Sequence, residues 1–335
     1  MPKQHHMGHR SPVITEDQVA IICPTKDQPK KVERLLLSIC NFKSAPGQVI
    51  VADGGHNLKP LVDQYAQSLN LTCLYCPEPG QVLQRNHARA YLSDEVRIVL
   101  HIDDDNTFEP DALSKLLCFW NLESNFGDDR PLAGVSFNVI DLPKVKNSFL
   151  RRLFFIGPKP EGTVSVSGYA RPFSPTNKNE QTSWLLGGST AWSRDVIDQH
   201  PHPVDFPTGW AVCEDLIYSY NLNNKYRLMV AKNALAYHNE TYQSINFRRG
   251  IYYGLASAIM RYYFITQHAE FKSHAFIWMT IGIAFGHLLR ACTGNRKHAG
   301  QFIGTVSALI KIVLSMFTAK SSRDLAKKLY YQSPK

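Results

Sequence analysis

The chain has 335 residues, 44% of them apolar, which is enough to bury a large core and excludes a disordered or fibrous protein. Its net charge of +9 attracts anions (nucleotide phosphates, anionic lipid or nucleic acid) without choosing among them. The seven cysteines are scattered, and only Cys73 and Cys76 are close, so a disulfide scaffold is excluded and a single C-x-x-C is weak for zinc.

Met1 to Pro12 is polar and His-rich, with no apolar stretch of the secretory type, and residues 1–18 are expected to form a flexible tail. Val19 to Cys23 is an apolar run ended by Pro24, the pattern of a buried strand. Val32, Leu35, Leu36 and Ile39 follow at helical spacing. Gln48 to Ala52 predicts a second buried strand, Leu61 to Leu69 a helix, and Leu71 to Cys76 a third strand with buried free thiols. Gln84 to Leu92 predicts another helix, and Arg97 to Ile102 a fourth strand running into Asp103. Pro110 opens the next helix from its first turn. This alternation predicts an α/β fold, a mainly parallel sheet flanked by helices on both faces. In such sheets ligands bind beyond the carboxyl ends of the strands. Thr25, Asp53 and Asp103 all lie at such ends.

From Val135 to Trp192 the pattern gives strand-like pieces and loops, with Pro172 to Thr182 a mobile loop. Glu214 to Asn221 reads as a helix, and Leu228 to Val230 begins a strand that ends near His238. Beyond that, two apolar stretches appear, Ala275 to Phe285 and Phe302 to Phe317, bounded or interrupted by His287, Arg290 and Lys311. A spanning helix needs about 20 apolar residues. In the second stretch Phe302, Ile303, Val306, Leu309, Ile310, Val313 and Phe317 share one face, while Gly304, Ser307, Ala308, Lys311 and Ser315 lie mostly on the other. That pattern suits a helix lying at a membrane surface over 275–317, or one packed on the rest of the chain.

Five groups of residues could carry chemistry. Asp103, Asp104 and Asp105 are adjacent carboxylates that repel one another without a cation; a hard divalent ion, Mg²⁺ or Mn²⁺, relieves the repulsion and can bridge to phosphate oxygens. The alternative is a solvated turn. Asp53 can accept from a nucleobase or ribose, or cap an Asp-Gly turn. Gly187 and Gly188 allow close approach of backbone to a ligand, or make a tight turn. Glu214 and Asp215 precede a helix and can supply a general base, or merely favour the helix dipole. His238 is a candidate metal ligand or a structural imidazole.

Taken in order, Ile21 to Thr25, Val49 to Gly54, Gln84-Arg85-Asn86, His101 to Asp105, Gly187-Gly188, Glu214-Asp215 and Tyr237-His238 resemble glycosyltransferase family 2, over roughly 19–239. The resemblance implies a GT-A fold at 19–240 followed by a helical, membrane-associating region at 241–335. It implies an inverting, metal-dependent enzyme that moves a sugar from a nucleoside-diphosphate sugar, a UDP-sugar being favoured. The acceptor would be a hydroxyl of a glycan or lipid-linked molecule, in cell-surface polysaccharide or glycolipid synthesis. By the same resemblance Thr25, Asp53, Arg85, Asp103 and Asp104 would hold the donor nucleotide, with Arg85 near its phosphates. Asp103, Asp105 and His238 would serve the metal, and Gly187, Gly188 and Glu214 the sugar or acceptor. Asp215 would be the catalytic base. The expected location is cytoplasmic, peripheral at the inner face of the cell membrane, with no nucleic acid partner. Lys26-Asp27 departs from the family's aromatic-Asn pair, and the Q-x-x-R-W signature of processive synthases is absent, which favours single additions. The rival readings are a sugar-phosphate nucleotidyltransferase and a non-catalytic membrane-associated binding protein. No G-x-x-x-x-G-K-[ST] loop occurs, so a P-loop NTPase is disfavoured.

Overall fold

A computed structural model describes residues 12–55, 58–126, 129–143, 148–157, 161–171, 175–203, 212–239, 246–318 and 321–330. The His-rich start, apart from Pro12, and Pro172 to Ser174 of the expected loop therefore lie outside the described residues. The chain is tied down from Ile14 onward, earlier than the tail boundary expected at 18: Ile14 exchanges two hydrogen bonds with the Asn121 amide.

The first half alternates as the apolar runs dictate. In order come β1 (Val19–Thr25), α1 (Pro29–Cys40), β2 (Gln48–Asp53), α2 (Lys59–Asp63), β3 (Leu71–Tyr75), α3 (Gln81–Arg89) and β4 (Ile98–Ile102). Then follow β5 (Asn106–Phe108), α4 (Ala112–Ser124), β6 (Leu132–Val139), α5 (Phe149–Leu153), β7 (Glu180–Gln181), β8 (Ser189–Ser193), α6 (Arg194–Gln199), α7 (Glu214–Asn223) and β9 (Arg227–His238). The sheet order is β3-β2-β1-β4-β8-β6-β9-β5, with β7 beside β9. β3, β2, β1 and β4 are parallel, whereas β8 runs antiparallel to both β4 and β6.

Both faces are covered. Along β1, Val19, Ile21 and Cys23 enter a core with α1 and α4, while Ala20 and Ile22 enter a core with Ala88, Trp192 and Tyr218. That is the two-residue alternation of a strand buried on both sides.

Two helices differ from expectation. The segment after Leu61 stays helical only to Asp63 and continues to Leu69 as successive turns. α3 starts at Gln81 rather than Gln84, because the Gln84 side chain accepts from Gly80 N–H at 3.0 Å and caps the first turn. The expected loop to Thr182 is partly pinned: Asn138 bonds Thr176 in both directions, and β7 pairs with β9.

The last part is α8 (Phe247–Thr266), α9 (Ser273–Ala291), α10 (Arg296–Phe317) and α11 (Ser322–Tyr330). α8 shares an apolar cluster with Trp184, Leu216 and Ile217, so these helices pack directly against the site-bearing part of the chain. α8 and α10 meet backbone to backbone through Gly250 and Gly254 on one helix and Gly300 and Gly304 on the other. A Cβ on Gly250 would lie 2.6 Å from the Lys297 carbonyl, and one on Gly304 would overlap the Ile251 carbonyl. Consequently α10 buries Gly300, Gln301, Gly304, Thr305, Ala308, Ile312 and Ser315, a side made mostly of small and polar residues. Ile303, Ile310, Leu314 and Phe317 face outward, Phe317 at 85% exposure.

Candidate active site

The site forms where the strands end. Thr25 and Asp53 are register partners at the ends of β1 and β2, and Gln84 ties these ends together by donating to the Thr25 and Ala52 carbonyls. Asp53 is buried, and its carboxylate accepts from the N–H groups of Gly55 (2.8 Å) and Leu58 (3.3 Å). It thus orders the turn that its Asp-Gly sequence announces, at the mouth of the crevice.

The three carboxylates after β4 diverge. Asp103 takes Arg85 Nη2 at 2.9 Å and Gln81 Nε2 at 2.5 Å. Asp104 accepts from the Thr25 hydroxyl at 2.6 Å, and burial pushes its carboxyl up to about 6. Asp105 receives Lys31 Nζ at 3.0 Å on one oxygen. Its other oxygen, Oδ1, is buried without a hydrogen bond and lies 3.5 Å from His238 Nε2.

A hard divalent cation suits that last pair. Carboxylate oxygen and imidazole nitrogen are ordinary donors for Mn²⁺, and such ions are commonly held by one or two protein carboxylates plus substrate phosphates. Asp103 is turned away to Arg85 and Gln81, so among the described residues no three His, Cys, Asp or Glu side chains converge on one point.

Arg85 occupies the centre. Its side chain is fully buried, with Nη2 on Asp103 and Nη1 on Glu214 Oε1 at 2.7 Å. Burial opposes its charge, but Glu214 and Asp103 outweigh that and hold it protonated. The guanidinium expected near the nucleotide phosphates is thus engaged by two carboxylates, and it bridges the end of β4 to the start of α7.

The start of α7 is locally strained. Cys213 has φ 63°, a left-handed conformation rare outside glycine, and it turns Glu214 and Asp215 into the site. Asp215 accepts from the N–H groups of Leu216 (2.8 Å) and Gly187. Burial raises its carboxyl above the usual range despite these bonds. Glu214 is pushed up to about 7, chiefly by burial, with Arg85 opposing. Gly187 and Gly188 are required sterically. A Cβ on Gly187 would sit 2.6 Å from Glu214 Oε1, and one on Gly188 would overlap the Asp103 carboxylate. The glycine pair is therefore the seam on which Asp103 and the Glu214–Asp215 carboxylates close.

A cavity of about 540 Å³ opens over this seam. Its lining includes Asp103, Gly187, Gly188, Glu214, Asp215 and His238, together with Tyr253, Ser257 and Arg261 of α8. Several of these groups were not legible in the sequence. Gln81 depends on where α3 starts. Lys31 belongs to a helix that reads as merely amphipathic. His202 is buried 3.6 Å from Glu214 Oε2 and stacked on Tyr218, and burial holds its imidazole neutral; it comes from a Pro-flanked loop that carries no periodic signal. The α8 residues give no local signal of a site.

The model for "Glycosyl transferase family 2" matches residues 20–170. No curated protein sequence matches the chain. Among solved structures, residues 1–349 of S. aureus TarS in complex with UDP-GlcNAc align at 14% identity, covering 94% of this chain and 92% of that one, with a TM-score of 0.54. The mannosyltransferase PcManGT from Pyrobaculum calidifontis, in complex with GDP-Man and Mn²⁺, aligns at 15% identity, covering 91% and 88%, with a TM-score of 0.51. The chain spans 43% of a longer TarS chain.

Proposed function

We propose that this chain, a member of glycosyl transferase family 2 through residues 20–170, is an inverting glycosyltransferase in which Asp215 activates the acceptor hydroxyl. Its donor is a sugar nucleotide, with UDP-sugars favoured, and its acceptor a glycan or lipid-linked hydroxyl. The observation that carries this reading is the seam. Asp215 lies against Gly187, Gly188 lies against Asp103, and one cavity touches all four. The structural neighbours described with UDP-GlcNAc and with GDP-Man and Mn²⁺ support the donor class. A sugar-phosphate nucleotidyltransferase has no comparable support.

In the reaction, Asp215 takes the proton of the acceptor hydroxyl as its oxygen attacks the anomeric carbon. The bond from that carbon to the diphosphate oxygen breaks, and the nucleoside diphosphate leaves with the electron pair. Asp105 and His238 would hold a divalent ion, which when bound neutralises charge on the leaving diphosphate. Arg85 fixes Asp103 and Glu214 so that the two sides of the seam keep their distance. Thr25 and Asp53 line the nucleoside end.

A thermal-shift titration with UDP and GDP, with and without Mn²⁺, tests the reading. A nucleotide that binds only the folded chain stabilises it by about 2.7 kcal/mol at one hundred times its Kd. The expected stabilisation depends on Mn²⁺ and loses that dependence in Asp105→Asn. Absence of any metal-dependent shift in the wild-type chain would overturn it.

The outward face of α10 supports peripheral attachment to a bilayer, and we propose the cytoplasmic face of the cell membrane as its side. α10 is long and apolar enough to cross a membrane by length and composition, yet it packs on α8 along its small-residue side. Small residues inside and large apolar residues outside is the arrangement of helices that meet lipid. Trp278, Phe285 and Leu289 of α9 extend the exposed apolar surface, and Trp278 binds the Leu153 carbonyl beside exposed Phe149 and Leu150. Arg290, Arg296 and Lys297 supply positive charge at the α9–α10 turn. Truncation after Asn239 would strip the cover from Trp184 and Leu216, so point substitutions are the cleaner probe. Ile310→Ser, Leu314→Ser and Phe317→Ser together are expected to weaken binding to anionic vesicles at least about tenfold, since each apolar side chain contributes roughly 1.5–3 kcal/mol when fully buried. Unchanged vesicle binding would sink the membrane assignment.

A further inference from the structure

The α8 wall of the cavity has no part in the chemistry just described. Tyr253, Ser257 and Arg261 are spaced four residues apart, so they form one stripe along the helix. The Ser257 hydroxyl oxygen and Arg261 Nε are buried and lack a hydrogen-bond partner among the described residues. Buried polar atoms are ordinarily paired, so this wall is built for a group that the chain does not itself supply.

Arg261 is held in place by packing rather than by an anion. Its guanidinium lies 5.4 Å from the Tyr169 ring centroid, and its stem runs past Gly168, where a Cβ would be 3.7 Å from Arg261 Cγ. Arg151 flanks the same ring at 5.9 Å and donates to the Tyr169 hydroxyl at 3.0 Å. Neither arginine has a carboxylate within ion-pair distance among the described residues. The other charged groups of the cavity are Asp103, Glu214 and Asp215, and Arg85 is ion-paired with the first two. Tyr253, Ser257 and Arg261 line the cavity together with Asp215, whereas Thr25 and Asp53 do not line it.

We infer that Arg261 and Ser257 form an anion subsite for the acceptor, receiving a phosphate or carboxylate that the acceptor carries near its reacting hydroxyl. The inference rests on the glycosyltransferase reading for which ligand is called the acceptor. A planar guanidinium suits a two-point grip on either anion, and the hydroxyl adds a third donor.

Matched neutral and anionic hydroxyl compounds test it: glycerol against glycerol 3-phosphate, and methyl glucoside against methyl glucuronide. Binding would be measured by calorimetry on the full chain, with and without UDP and Mn²⁺. The expected result is at least about tenfold tighter binding of each anionic member. The advantage should be lost in Arg261→Ala, partly kept in Arg261→Lys, and reduced in Ser257→Ala, with melting temperatures checked for each. Equal binding of neutral and anionic members to the wild-type chain would overturn the subsite. So would a loss of UDP affinity in Arg261→Ala and Arg261→Lys with no change for glycerol 3-phosphate, which would make Arg261 a donor contact. If UDP itself fails to bind, the glycosyltransferase reading fails while the matched-pair comparison still reports on the anion site. Dodecyl phosphate as a further arm separates sources: a gain with it but not with glycerol 3-phosphate supports a lipid-linked anion, and the reverse supports a polyol or glycan anion.

Discussion

Asp215→Asn is expected to lower glycosyl transfer by about 10²–10⁴-fold, the usual contribution of a positioned general base, while metal-dependent nucleotide binding persists. The amide keeps the shape of the carboxylate, and its oxygen can still accept from Leu216 N–H, the bond that Asp215 Oδ1 makes. What it loses is the capacity to hold the acceptor proton. Burial raises the Asp215 carboxyl, which brings it closer to the affinity a base needs near neutral pH. The sign of the pH dependence follows. Asp215 must be ionised to act, so activity rises with pH on an acidic limb placed above the ordinary Asp range. Steady-state transfer rates across pH check both statements. Full turnover by Asp215→Asn would remove the base assignment.

Arg85→Met is expected to cost about 3–5 kcal/mol of stability, the range for breaking a buried ion pair from one side. Methionine approximates the length of the stem, so the loss isolates the charge. Asp103 and Glu214 would then face each other across the Gly187–Gly188 seam with no cation between them. Arg85→Lys should recover only part, because one ammonium cannot reach both carboxylates with the fork of a guanidinium. Glu214 sets the pH signature. Its carboxyl sits at about 7 in the folded chain, above the ordinary value, so the folded state binds its proton more tightly. That contribution is fully present below the unfolded value of about 4.3 and is lost as pH rises through about 7. Without Arg85, which lowers the Glu214 value, the decline should extend to higher pH. Urea unfolding at several pH values measures it, and a change within about 0.5 kcal/mol would show that Arg85 is not a strut.

The rest of the chain divides by kind of information. β1, β2 and β4 were legible because a strand buried on both faces must be apolar throughout, and few other arrangements suit such short runs. With three parallel strands placed, Thr25, Asp53 and Asp103 had to gather at one edge of the sheet. The antiparallel insertion of β8 was not legible, yet it brings Gly188 onto Asp103, through a backbone bond of 2.9 Å from Asp103 N–H to the Gly188 carbonyl. Arg85 belongs in sequence to Gln84-Arg85-Asn86, whose resemblance implies a place near the nucleotide phosphates. Its engagement by two carboxylates, which are 18 and 129 residues away in the chain, was not legible there.

The C-terminal helices make the same point from the opposite side. The sequence determined that α10 has an apolar face and a small, polar face, and it left open which of them packs. Tertiary structure decided that the mostly small face goes inward, because Gly300 and Gly304 let α10 approach α8 at backbone distance where a larger side chain at either position could not. Along the chain, then, periodic hydrophobicity fixes elements and the sheet edge where ligands gather, since burial acts on every residue locally. Which carboxylate meets which cation, and which face of a helix is left exposed, depends on close approach between distant segments. Coulomb forces and steric fit act there over a few ångströms of space, whatever the distance in sequence.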